Sequence, residues 1–81
     1  MNELTLDKIE IGESATLTGF NDEFALQERQ RLLDLGLIPG TTIVAELRSA
    51  GGDPVAYRIR ETLIALRKAQ AKMIFVERSK P

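Results

Sequence analysis

The 81-residue chain has no cysteine, no histidine and no tryptophan, and its aromatic content is one tyrosine and three phenylalanines. Without cysteine there is no disulfide framework and no thiolate metal centre. Without histidine as well, no Ser-His or Cys-His nucleophile can be assembled. The two ligand types that hold most iron(II) and zinc(II) sites are also missing. Carboxylates remain, as the pairs Glu10/Glu13 and Asp22/Glu23. At those spacings they read as solvated acids and helix-start charges. Asp22 and Asp34 have no evident partner for acid–base work. Gly51-Gly52-Asp53 lacks the Gly-Lys-Ser/Thr continuation of a phosphate loop and reads as a hairpin turn. The expectation is a protein that is not an enzyme, with no cofactor and no tight iron(II) site.

Long hydrophobic runs are missing too. Nowhere do about 18 apolar residues stand together, and no basic segment followed by an apolar run opens the chain. A soluble, cytoplasmic protein is expected. Hydrophobic residues make up 43% of the sequence, enough for one compact core, and a single domain over 1–81 is expected, with a frayed tail at 78–81. A chain this small buries roughly 60–65% of its unfolded surface. Net charge is −1 overall, but residues 1–30 carry −5 and residues 31–81 carry +4. Such asymmetry can mark an interaction face.

The chain is organised around the stretch from Arg31 to Pro54. Leu32 and Leu33 close an apolar helical face, and Gly36 stands where a helix ends in a left-handed residue. That count makes Leu32 the C3 position and Leu37 the C″ position, whose side chains meet in a Schellman motif. Pro39-Gly40 suits the centre of a type II turn. Period-2 alternation begins at once afterwards, so the helix must turn sharply into a sheet.

In chain order, Leu4, Leu6, Ile9 and Ile11 form a lead-in that docks apolar side chains. Ser14–Thr18 is a strand with Ala15 and Leu17 inward, ended by Gly19. Asn21-Asp22-Glu23 predicts a helix start, and the helix is expected over about 22–35 with an exposed polar middle, Gln27 to Arg31. Alternation then predicts a strand with Ile43, Ala45 and Leu47 inward and Thr42, Val44, Glu46 and Arg48 outward. Ser49 to Pro54 is a hairpin in which Gly51 and Gly52 permit positive φ. Val55, Tyr57 and Ile59 alternate with outward Ala56, Arg58 and Arg60. Glu61-Thr62 is a tight connection, Leu63 to Arg67 a strand, Lys68 to Ala71 one helical turn, and Met73 to Glu77 a last strand. The expected core includes Ile43, Leu47, Tyr57, Ile59, Leu66, Ile74 and Val76. The fold expected is mainly β: a small SH3-like five-stranded barrel, with a helix after the first strand and a one-turn helix before the last.

Three pieces then stand in register. Leu35-Gly36-Leu37 leads to Pro39 and Gly40, Gly52-Asp53-Pro54 follows, and Ala65-Leu66-Arg67 leads to Ala71. In that order and spacing they resemble the ferrous-iron transport protein A (FeoA) family over roughly Leu6 to Glu77. Gln70 stands where the family often has Glu. The resemblance implies an SH3-like barrel acting in the cytosol in bacterial ferrous iron uptake, beside FeoB, a membrane permease with a cytosolic GTP-binding domain. The same domain ends iron-dependent transcriptional regulators, but 81 residues leave no room for a winged helix, so the free-standing form is expected. The partner-binding candidates are the hairpin tip Gly51, Gly52 and Asp53 with Arg58 and Arg60, then Gln27 and Arg31 on the helix. The alternative is a nucleic-acid-binding barrel using Arg58, Arg60, Arg67, Lys68 and Lys72. A net-acidic chain with only Tyr57 among those bases argues against it, so no nucleic acid is expected. The oligomeric state is left open between monomer and weak dimer.

Overall fold

A computed structural model describes residues 4–79. From its start the lead-in is used: Leu4–Thr5 forms a short strand, β1, followed by a 3-10 turn over Leu6–Lys8. Leu6 and Ile9 are buried, while Ile11 is exposed. The chain then enters β2, Ser14–Phe20, with Ala15 and Leu17 inward. This strand does not stop at Gly19. Its pairing register with the last strand shifts between Leu17 and Gly19, and the ladder runs on to Phe20. Gly19 therefore marks an irregularity inside the strand, a common use of glycine there.

The helix starts later than Asn21-Asp22-Glu23 suggests. The Asn21 side chain accepts the Glu23 N–H at 2.8 Å, and its backbone carbonyl accepts the Phe24 N–H at 3.0 Å. Asn21 thus caps a turn of its own, a competing use of this residue type. Arg29 reinforces that turn by donating to the carbonyls of Asn21 and Phe24, and Phe24 stacks on Phe20 with ring centroids 6.0 Å apart. The helix α1 spans Leu26–Asp34, behind Ala25, which offers no side-chain cap.

Its C-terminus follows the expected Schellman pattern. The Leu37 N–H donates to the Leu32 carbonyl at 2.9 Å and the Gly36 N–H to the Leu33 carbonyl at 3.0 Å, with Gly36 at φ +103°. The turn through Pro39 and Gly40 is closed by the Thr41 N–H on the Ile38 carbonyl at 3.0 Å. Thr41 is buried, and its hydroxyl donates to the Gly36 carbonyl at 3.1 Å. Gly40 N–H and Thr41 C=O then bond to the backbone of Leu17. Helix end and turn are fastened to β2 at one residue.

β3 (Thr42–Arg48) and β4 (Val55–Ile59) form the central hairpin, β5 is Thr62–Leu66, α2 is Lys68–Ala71 and β6 is Ile74–Arg78. Ile43, Ala45, Tyr57, Ile59, Leu66, Ile74 and Val76 are all buried as expected. Leu47 is not: it is 56% exposed. Pairing runs Ala45 to Tyr57 and then Leu47 to Ala56, so one extra residue is inserted in β3 at Glu46. Such a bulge moves every later side chain to the opposite face. Arg60 also differs from expectation. It follows β4 in the tight turn, with φ +54°, rather than standing outward on the strand. At the C-terminus, Arg78 belongs to β6 and the Ser79 N–H bonds to the Ser14 carbonyl, so these two residues are not frayed; Lys80 and Pro81 lie outside the described residues.

The antiparallel sheet has six strands in the order β1-β6-β2-β3-β4-β5, one more than expected because the lead-in adds β1. The fold is mainly β and SH3-like. No ladder joins β1 to β5 among the described residues. There the 3-10 turn packs on α2, and Leu6 and Ala71 are buried in the core beneath.

Candidate docking face

The bulge decides what the outer face of β3–β4–β5 looks like. Beyond it, Leu47, Ala56 and Ala65 lie in one cross-strand row, and Val44, Arg58 and Leu63 form the next. Leu47 and Leu63 are exposed large apolar side chains. A shallow groove of about 240 Å³ is lined by Leu47, Arg48, Ser49, Pro54, Ala56 and Ala65. Strict alternation along β3 hides this face, because it sends Leu47 inward.

Arg58 is on this face, as expected, but its charge is matched. Its guanidinium meets Glu46 through both Nε and Nη2. The paired guanidinium holds the Glu46 carboxyl below the usual range, and the carboxylate raises Arg58. The bulge residue and the strand arginine therefore neutralise each other between two exposed leucines. Of the five cations considered for nucleic acid, this one is already taken.

The hairpin tip is less free than its exposure suggests. Gly52 has φ +87°, whereas Gly51 has no positive φ, contrary to expectation. Asp53 Oδ1 accepts the Lys68 N–H at 2.8 Å. The Gly52-Asp53-Pro54 turn thus ties to the start of α2 and joins two motif pieces distant in sequence. Ala65 and Arg67 are exposed and Leu66 and Ala71 buried. Gln27 and Arg31 are exposed on α1, where Arg31 pairs with Glu28 at 3.6 Å. Glu28 in turn accepts from the Gln70 amide at 2.8 Å, while Gln70 Oε1 accepts the Arg67 N–H at 2.9 Å. An amide is needed here because it must donate on one side and accept on the other. Gln70→Glu should therefore set two carboxylates together and cost about 1 kcal/mol at neutral pH, read as a lower Tm. Adding Glu28→Gln should restore it.

A second cleft, of about 100 Å³, opens near the seam and is lined by Asp7, Arg48, Gly52, Asp53, Val55, Tyr57, Leu66 and Lys68. Asp7 Oδ1 accepts the Thr5 hydroxyl, while its Oδ2 is buried without a partner. Tyr57 is buried, and burial, with the Asp7 charge adding to it, pushes its phenol up to about 12. As the single tyrosine of a chain without tryptophan, it can be titrated directly by absorbance. Ionisation should appear near pH 12 in the folded protein. The raised folded value means that the stabilisation from neutral Tyr57 is whole below about pH 10 and is lost between there and 12. Asp7→Asn should move the titration part of the way back.

Neither carboxylate pair forms a metal cradle. Glu13 accepts the Glu10 N–H at 2.7 Å and meets Arg78 at 3.1 Å, and these bonds lower its pKa against the opposing effect of desolvation. Asp22 and Glu23 are exposed. Among the described residues no three potential metal ligands stand together, and no helix is long and apolar enough to cross a membrane.

The FeoA domain model matches residues 4–78. The structure is similar to that of the FeoA protein from Chlorobium tepidum, with TM-score 0.85 and 28% identity, covering 93% of this chain and 70% of that one. It is similar to the FeoA-like protein from Clostridium acetobutylicum, with TM-score 0.83 and 33% identity over 100% of this chain and 93% of that one. A third similar structure is Stenotrophomonas maltophilia FeoA in complex with zinc, described as a prokaryotic SH3 domain protein. Its TM-score is 0.80 and its identity 28%, over 91% of this chain and 89% of that one. With nearly its whole length matched by the family model, the chain belongs to the FeoA domain family.

Proposed function

We infer that this protein is a cytosolic accessory component of bacterial ferrous iron uptake. In this reading it docks on the cytosolic, GTP-binding part of a FeoB-type permease, reaches the membrane only through that partner, and catalyses nothing itself. Membership of a family associated with ferrous iron transport supports the pathway. The observation that carries the docking mode is the apolar row Leu47–Ala56–Ala65 crossing three strands beside the Arg58–Glu46 pair. Exposed apolar surface rimmed by polar groups is characteristic of a docking site. An arginine whose partner already satisfies it can be covered at lower desolvation cost than a bare charge. The hairpin tip and Arg60 border this face, and the exposed side of α1 at Gln27 and Arg31 is the second choice.

The test is co-purification with the permease's GTP-binding domain. Leu47→Asp and Arg58→Glu should each weaken the association at least tenfold, with Arg60→Glu weaker in effect. None should unfold the protein or lower its Tm markedly, because exposed side chains and exposed ion pairs contribute little. Retention of all three variants at the parent's level would move the docking site elsewhere. The partner's GTP hydrolysis, measured with and without the protein, shows whether docking alters turnover.

A further inference from the structure

β5 is an open edge of the sheet: it pairs with β4 and with no other strand among the described residues. The tight turn closes on the Ile59–Thr62 pair, and bonded and non-bonded pairs alternate from there along an antiparallel ladder. Thr62, Ile64 and Leu66 therefore direct their backbone groups to β4, while the N–H and C=O groups of Leu63 and Ala65 point to the free edge. Leu63 and Ala65 also carry exposed apolar side chains on the outer face. An edge with free backbone groups and apolar side chains is a template for another strand.

What fits it is written in the same strand. Glu61 immediately precedes β5 and Arg67 immediately follows it; both are exposed, and neither is in an ion pair among the described residues. We propose that two copies of this chain associate through antiparallel pairing of their β5 edges about a twofold axis at Ile64. In that register Leu63 faces Ala65 of the second copy, and their outward backbone groups meet as a bonded pair. Glu61 then faces Arg67 of the second copy at both ends. A twofold contact makes each favourable pair twice. Moving the axis to Leu63 would still align free backbone groups, but it would set Glu61 against Ala65 and leave Arg67 unmatched. Arg60 and Lys68 of the second copy come next outward with like charge, and both sit beyond the strand where long side chains can swing into water. A five-residue edge makes a contact of the small, transient class, so the dimer forms only at high concentration.

This association goes beyond the docking proposed above and is tested with the protein alone, so its failure leaves that proposal standing. Sedimentation equilibrium should show the average mass rising toward twice the monomer between about 10 µM and about 1 mM, as for a contact worth only about 4–7 kcal/mol. Glu61→Arg and Arg67→Glu should each weaken association at least tenfold, because each sets like charges together at both ends. An equimolar mixture of the two variants should recover it. One variant then carries arginine at both positions and the other glutamate at both, so opposite charges meet at each end of the paired strands. Recovery on mixing also shows that both variants are folded. A parent that stays monomeric across the range, single reversals that associate as the parent does, or a mixture that fails to recover would each overturn the proposal.

Discussion

Leu37→Ala should be among the most damaging single changes in this protein, while Leu35→Ala, two residues earlier, should be nearly silent. Leu37 has 0% exposure and Leu35 has 44%. Removing a fully buried leucine side chain costs about 2–5 kcal/mol, through lost transfer energy and the cavity left behind. A domain of this size has roughly 5–15 kcal/mol in total. Each kcal/mol moves Tm by about 4–8 °C at this length, so a fall of at least about 8 °C is expected. Leu35 is the last residue of the helix turn and leaves little behind when cut back. Urea unfolding of both variants gives the comparison. Equal losses would mean that the Leu35-Gly36-Leu37 segment acts as a unit rather than through its second leucine.

That segment shows how much of the fold was readable in advance. The helix stop, the turn through Pro39 and Gly40, and the switch to period 2 depend on local chemistry. All three appear where spacing puts them, down to the Leu37–Leu32 backbone bond. The core residues of β4 and β6 were legible for the same reason, since alternation on an unbroken strand needs no knowledge of its neighbours. What was not legible lies where a neighbour decides. Leu47 follows a flawless alternation and still faces solvent, because the inserted residue is defined only by pairing with β4. Asn21 offers the right cap chemistry but uses it on a turn held by Arg29, eight residues on.

The candidate site was less readable than the fold. Arg58 could be placed on the outer face from its position in β4. That its charge is matched by Glu46 depends on the pairing of β3 with β4, which brings that carboxylate beside it. Asp53 looked like a free hairpin tip, and its bond to the Lys68 N–H spans 15 residues. Gln70, a mild departure from the family's frequent glutamate, has its physical reason in Glu28, 42 residues away. In each case the residue type was visible and its partner was not. On an unbroken strand, periodicity reports which side a residue faces, but not what waits there.

Gly36→Val tests the helix stop itself. At φ +103° the backbone is in a region that L side chains rarely adopt, and nothing lies within 4 Å of where a Cβ would stand. The substitution therefore meets no steric obstacle from the rest of the protein, and its cost is conformational. Left-handed geometry costs roughly 1–2 kcal/mol for an ordinary residue, and a β-branched side chain is among the least tolerant. A Tm loss of about 4–15 °C follows from the size scaling. Gly36→Asn should be milder, although only partly, because asparagine's left-handed optimum lies near φ +57°, short of the value here. The strain has a defined place to act. The Gly36 carbonyl holds the Thr41 hydroxyl, and the Leu37 N–H reaches back to Leu32. Hydrogen exchange should therefore speed up first at the Leu37 and Thr41 amides in Gly36→Val, before the sheet amides respond. Uniform acceleration across β3 and β6, with no lead at those two positions, would mean that the helix stop is fastened by the Pro39-Gly40 turn and not by the glycine.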